Sequence, residues 1–247
     1  MQKTEFQKFA LSQGISSSNL DYYNKQVKSS MTPYILEERE MRMTQIDIFS
    51  RMMKDRILWV SGEVNGQMSS IVMAQLMFLD KLEKADIQMY IDSPGGCVKS
   101  GLSMVDVMDY VGSDVATTNT GMCASMGSIL LSSGTKGKRF SLPFSKVMTH
   151  MVSHGTSGNV QNTRVGQVEA EKYNYILFKI LAENCGKTLE EMLETSRVDN
   201  WLNSKESLRF GIVDEIIGGE RRDMDKMLEG FQEYYMKETF KQATSQK

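Results

Sequence analysis

From Arg56 to Ile217 the sequence alternates short β-rich runs with longer stretches of helical periodicity, and few folds accommodate that alternation. Arg56–Val60 (RILWV) reads as a buried strand. Gln67–Leu82 carries Ile71, Leu79 and Leu82 at helical spacing, and Ile87–Ile91 (IQMYI) returns to strand composition. The unit then repeats. Ser100–Tyr110 has Leu102, Val105 and Met108 three residues apart, Val115–Asn119 is a further strand, and Ala124–Leu131 is helical. Lys138–Leu142 and Val147–Val152 are two more strands. Successive βαβ units of this kind predict an α/β layered domain with a largely parallel sheet.

Beyond Gly158 the period lengthens into a helix over Val160–Asn184, halted at Cys185-Gly186 because glycine suits the residue just past a helix. A short helix at Thr188–Ser196, a turn at Asp199-Asn200, a helix at Ser204–Phe210 and a strand at Ile212–Ile217 follow. Residues 1–33 are polar, with SSSN at 16–19 breaking any helix, and residues 219–247 hold a charged helical pattern; both read as appendages.

Composition removes several classes of function. The 29 Lys and Arg against 31 Asp and Glu leave no basic surplus for counterion-releasing nucleic-acid binding. The longest apolar stretch, Ile71–Leu79, is interrupted by Gln75 and falls short of the roughly 20 residues a membrane span needs. The first residues, MQKTEFQKFALSQG, lack the basic and apolar regions of a secretion signal, so a cytoplasmic chain is expected. Cys97, Cys123 and Cys185 show no CxxC spacing, and only His150 and His154 exist to supplement them; neither a disulfide framework nor a zinc site is expected.

Two strand-to-helix turns carry the candidate chemistry. Asp92–Gly96 (DSPGG) places two glycines where positive φ and exposed N–H groups are useful for holding an oxyanion. Thr120–Gly127 (TGMCASMG) puts Ser125 at the start of a helix, with Ala124 and Gly127 relieving crowding, in the manner of a nucleophile elbow whose first glycine is replaced by Cys123. A serine at a helix start is most often only a cap. Cys123 is a rival nucleophile that reads better as a small buried residue. A serine nucleophile needs a base. His150, inside the expected Val147–Val152 strand, and His154, beyond it, are the two imidazoles available. The carboxylate that would orient the ring is Asp199, shielded by the following Trp201-Leu202, or equally Asp92 or Asp114.

Taken in order, Asp92–Gly96, Ala124–Gly127 (ASMG), Gly134–Arg139 (GTKGKR), Val147–His150 (VMTH), Val198–Trp201 (VDNW) and Phe210–Asp214 (FGIVD) resemble the caseinolytic protease proteolytic subunit family, ClpP, from about Tyr34 to Gly218. The resemblance implies the repeated βαβ superhelix of the ClpP and crotonase fold, with a protruding handle at about 147–184, inside a peptidase domain spanning 34–218. It places the nucleophile on Ser125, the base on His150, the acid on Asp199 and the oxyanion donors on the N–H groups of Gly96 and Met126, with Gly95 and Gly96 also binding substrate. It further implies an endopeptidase of unfolded polypeptides that needs no cofactor or metal, stacks as a homo-oligomer of heptameric rings and works with an AAA+ unfoldase. Three positions depart from the family. Met151-Val152 replaces Gln-Pro after the histidine, Arg197-Val198 replaces an Asp-Arg pair that links rings, and the segment after Gly218 is longer than usual. The alternatives are a non-catalytic ClpP-like subunit of a mixed ring and a crotonase-type acyl-CoA enzyme, which needs no serine nucleophile.

Overall fold

Residues 34–39, 42–155, 157–218 and 223–235 are described by the structure, a computed structural model. The chain divides into two units, Met1–Asp55 and Arg56–Lys247. In the first, β1 (Tyr34–Arg39) pairs antiparallel with β2 (Arg42–Asp47), and the Asp47 carboxylate accepts from the Ser50 N–H at 2.9 Å to cap α1 (Ile48–Lys54). The sequence pattern assigned no element here. Residues 1–33, expected to be an appendage, lie outside the described residues.

The second unit begins where the βαβ alternation begins. Its elements are β3 (Ile57–Ser61), α2 (Gly66–Leu82), β4 (Ile87–Ser93), α3 (Val98–Tyr110), β5 (Val115–Ala124), α4 (Met126–Ser132), β6 (Arg139–Ser141) and β7 (Lys146–Thr149). There follow α5 (Val160–Cys185), α6 (Leu189–Thr195), β8 (Asn200–Asn203), α7 (Ser204–Phe210), β9 (Glu215–Ile216) and α8 (Met224–Leu228). The sheet runs β3-β4-β5-β6-β9 in parallel, as the alternation predicts, with β7 parallel to the far half of β5 and β8 antiparallel to β7. Along β4 the residues Ile87, Met89, Ile91 and Ser93 are buried between exposed Gln88 and Asp92. α4 is buried over its whole length, which its small and apolar sequence MGSILLS permits.

Several expected boundaries shift for identifiable reasons. β5 runs on to Ala124 rather than ending at Asn119, because its first half pairs with β6 and its second half with β7. β7 stops at Thr149, three residues short of the expected Val152, so His150 is the first residue beyond the strand and not a residue within it. The expected turn at Asp199-Asn200 is instead the entry to β8, paired with β7. The strand expected over Ile212–Ile217 is reduced to Glu215–Ile216, although Ile212 and Val213 are buried. α5 ends one residue later than predicted, at the left-handed Gly186. In the segment after Gly218, Asp223 at the N-cap of α8 and Asp225 within it pair with Lys205 at 2.6 and 3.1 Å; 219–222 and 236–247 lie outside the described residues.

A largely buried ion pair ties β6 to the chain before β9. Arg139, 1% exposed, donates through Nε and Nη2 to the two oxygens of Asp214 at 2.8 and 2.6 Å and through Nη1 to the Asn184 carbonyl at 2.9 Å. Burial pushes the Asp214 carboxyl up, but the Arg139 hydrogen bonds and charge, with the N–H groups of Gly137 and Arg139, outweigh it and hold the group below the usual carboxylate range. Removing one partner of such a pair strands the other charge, so Asp214→Ala is expected to cost about 3–5 kcal/mol. The wild-type contribution is present above the unfolded carboxyl pKa of about 4 and lost as pH falls through the lower folded value. Denaturant midpoints of both proteins across pH check this: a wide gap at pH 7 should close in acid, and equal midpoints at pH 7 would contradict it.

Candidate active site

The end of β5 turns abruptly into α4 at Ser125, which holds φ 53° and ψ −121°, a combination a residue with a Cβ rarely adopts. Strain at this point agrees with the elbow reading of the sequence. The Ser125 N–H donates to the Met148 carbonyl at 2.9 Å, and its own carbonyl accepts from the Ser128 N–H at 3.0 Å. The hydroxyl makes no cap bond to the helix and points elsewhere: Oγ lies 2.9 Å from His150 Nε2.

His150 reaches that position because β7 pairs with the last residues of β5, Met122↔Lys146 through Ala124↔Met148, bringing the chain past Thr149 alongside Ser125. Its ring is 24% exposed, and Nδ1 lies 3.5 Å from Asp199 Oδ1. A tautomer carrying its proton on Nδ1, on the side of the carboxylate, leaves Nε2 able to accept a hydrogen bond from the Ser125 hydroxyl. Asp199 is delivered by the antiparallel partner: Thr149 pairs with Asn200 at the end of the ladder, so His150 and Asp199 face each other one step beyond it. The expected shielding of Asp199 is not found. Its side chain is 60% exposed, and Trp201 is itself 49% exposed, since the β8 alternation buries Leu202 instead.

Asp92 and Asp114, the other carboxylates considered, are engaged elsewhere: Asp92 Oδ1 accepts from the Met122 N–H at 3.0 Å and Asp114 pairs with Lys138 at 2.8 Å. His154 is exposed beyond β7. Cys123 is fully buried, and that burial, with the nearby Asp92 charge, pushes its thiol well above the ordinary value, which leaves it inert as a nucleophile. Cys185, also burial-shifted, rises to about 11.

The glycine turn lies against the serine. Gly95 (φ 93°) and Gly96 (φ 144°) occupy conformations that side chains disfavour, and there is also no space for a side chain. A Cβ on Gly95 would meet Ser125 Cβ at 2.6 Å, and one on Gly96 would meet the Val64 carbonyl at 2.3 Å. Gly96 and Met126 line the same cavity as Ser125 and His150. Met126 is the first residue of α4, so its own N–H has no acceptor within the helix. The cavity has a volume of about 230 Å³, and Val98, Ile129, Leu177, Phe178 and Leu181 give it an apolar wall. The residues from α5 in that wall were not legible in the sequence. Leu177, Phe178 and Leu181 lie within a long helix, and no local motif ties them to Ser125.

Among the described residues, no group of three or more His, Cys, Asp or Glu side chains is arranged to hold a metal ion, and no helix is long and apolar enough to cross a membrane. The family model for Clp protease matches residues 38–220. The ATP-dependent Clp protease proteolytic subunit of Porphyromonas gingivalis is 38% identical over 220 residues, which is 88% of this chain and 99% of that one. The subunit of the same name from Bacteroides fragilis is 38% identical over 215 residues, 86% of this chain and 98% of its own. That from Streptococcus pyogenes is 42% identical over 191 residues, 76% and 97% respectively.

Proposed function

The chain belongs to the Clp protease family, and from that membership and the site geometry we propose that it is a Clp proteolytic subunit, a serine endopeptidase acting through Ser125, His150 and Asp199. The observation that carries this reading is the 2.9 Å contact between Ser125 Oγ and His150 Nε2 at a strained strand-to-helix turn. A crotonase-type enzyme has no use for that contact.

In the proposed reaction His150 Nε2 takes the proton from Ser125 Oγ as the oxygen attacks a peptide carbonyl. The oxyanion sits between the N–H groups of Gly96 and Met126. The amine leaves with the proton held on Nε2, and water, deprotonated by the same nitrogen, hydrolyses the acyl-enzyme. Asp199 holds the ring in the required tautomer. Substrate binds as an added strand beside the Gly95-Gly96 loop and the handle, so backbone hydrogen bonds supply affinity with little sequence selection, and the apolar wall receives one side chain.

The relatives' names include "ATP-dependent", and the proposal assigns the ATP to an AAA+ unfoldase that feeds unfolded polypeptide into stacked heptameric rings of this chain. The outer part of α5 is suited to such stacking, with Val165, Val168, Tyr175 and Ile176 exposed by 43–63%. At the position of the family's ring-linking pair, Arg197 instead bonds Glu194 within its own turn at 3.2 Å and Val198 is 75% exposed, which removes one charged contact between rings. Sedimentation velocity over a dilution series, with cleavage of a fluorogenic peptide read on the same samples, tests both points. Cleavage is expected at high concentration, declining as the double ring dissociates in the low micromolar range. No cleavage by the fully assembled particle would contradict the function, and a fully active fourteen-subunit particle at every dilution would contradict the labile junction.

A further inference from the structure

Resting on the triad reading above, we propose that Thr149 is a positioning residue whose hydroxyl sets the Asp199 loop in register with His150. Asp199 has little else to hold it. Its side chain is 60% exposed, it meets His150 at 3.5 Å, and the preceding Arg197 and Val198 are exposed by 70% and 75%. A carboxylate so placed depends on its backbone for its position.

Side chains on both sides of it converge on one oxygen. Thr149 Oγ1 lies 2.8 Å from Ser196 Oγ, three residues before Asp199, and accepts from Asn200 Nδ2, one residue after it, at 3.3 Å. Thr149 and Ser196 are 1% and 0% exposed, so water does not compete for the bond between them. Ser196 is itself fixed as the residue ending α6, through its N–H to the Met192 carbonyl at 3.2 Å. Thr149 is the last residue of β7 and is followed directly by His150. The hydroxyl therefore joins the residue next to the base with both ends of the segment bearing the acid, at the point where the β7–β8 ladder stops.

The test is a cycle of variants read by the rate at which a fluorophosphonate labels Ser125 and by kcat and KM for a peptide. Thr149→Val keeps the side-chain shape and removes the hydroxyl; it is expected to lower labelling rate and kcat about tenfold with KM within about twofold, as misplacement of a catalytic group does. Thr149→Ser should recover most of the loss. In an Asp199→Ala background, Thr149→Val should slow labelling no further, because residues acting through one another do not add. An unchanged rate in Thr149→Val, or an equal loss with and without Asp199, overturns the inference. If Thr149→Val does not fold, Ser196→Ala takes its place, with a smaller loss in kcat expected and an unchanged kcat contradicting the proposal. Absence of labelling at Ser125 in the wild-type protein would count against the triad reading itself, which separates the two failures.

Discussion

Ser125→Ala is expected to fold and assemble normally while losing about 10⁶-fold in kcat for peptide hydrolysis, the scale seen when a serine protease loses its nucleophile. Both halves of the expectation come from the environment of one side chain. The hydroxyl makes no cap bond to α4, and its hydrogen-bond partner is His150 Nε2. Removing it withdraws no support from the fold. Alanine carries the same Cβ as serine, so the φ of 53° costs the variant no more than the native residue. The turn remains shaped by Gly95, whose missing Cβ leaves room for Ser125 Cβ. Initial rates for the purified variant, beside its circular dichroism and sedimentation profile, check the result. Turnover above about one hundredth of wild type, in a sample free of native enzyme, would remove Ser125 from the role of nucleophile.

The two histidines should separate as sharply. His150→Ala is expected to fall by a similar factor of about 10⁶ in kcat, since base and nucleophile act as one unit, whereas His154→Ala should stay within about twofold of wild type. The reason is not that one histidine lies in a strand, because both lie past the end of β7 at Thr149. It is that His150, one residue beyond, is held between Ser125 Oγ and Asp199 Oδ1, while His154 is exposed four residues further on. Peptidase rates for the two purified variants decide the matter, and the opposite ranking would place the base on His154.

Much of this arrangement was legible in the chain itself because its signals are local. The βαβ rhythm placed α2, β4 and α3 to within two residues at each end, and the glycines at 95 and 96 and the small residues around Ser125 marked both turns. What escaped depended on partners distant in sequence. β8 (NWLN) has the composition of a turn and becomes a strand only because β7 supplies its hydrogen bonds. The extra length of β5 reflects its change of partner from β6 to β7. The missing cover over Asp199 has the same origin. Pairing with β7 sets the alternation of β8 so that Leu202 turns inward, leaving Trp201 and the carboxylate in solvent. The Thr149–Ser196–Asn200 network joins hydroxyls 47 residues apart, and no periodicity records such a contact.

The central claim, that Ser125 is a nucleophile activated by His150, is tested most directly by the site of covalent modification. The wild-type protein should be treated with a fluorophosphonate at neutral pH, digested, and the adduct located by mass spectrometry, with His150→Ala treated in parallel. One adduct is expected, on Ser125, formed at a rate that collapses in His150→Ala as peptidase activity does. An adduct on another residue, or peptidase activity that survives complete modification of Ser125, would contradict it.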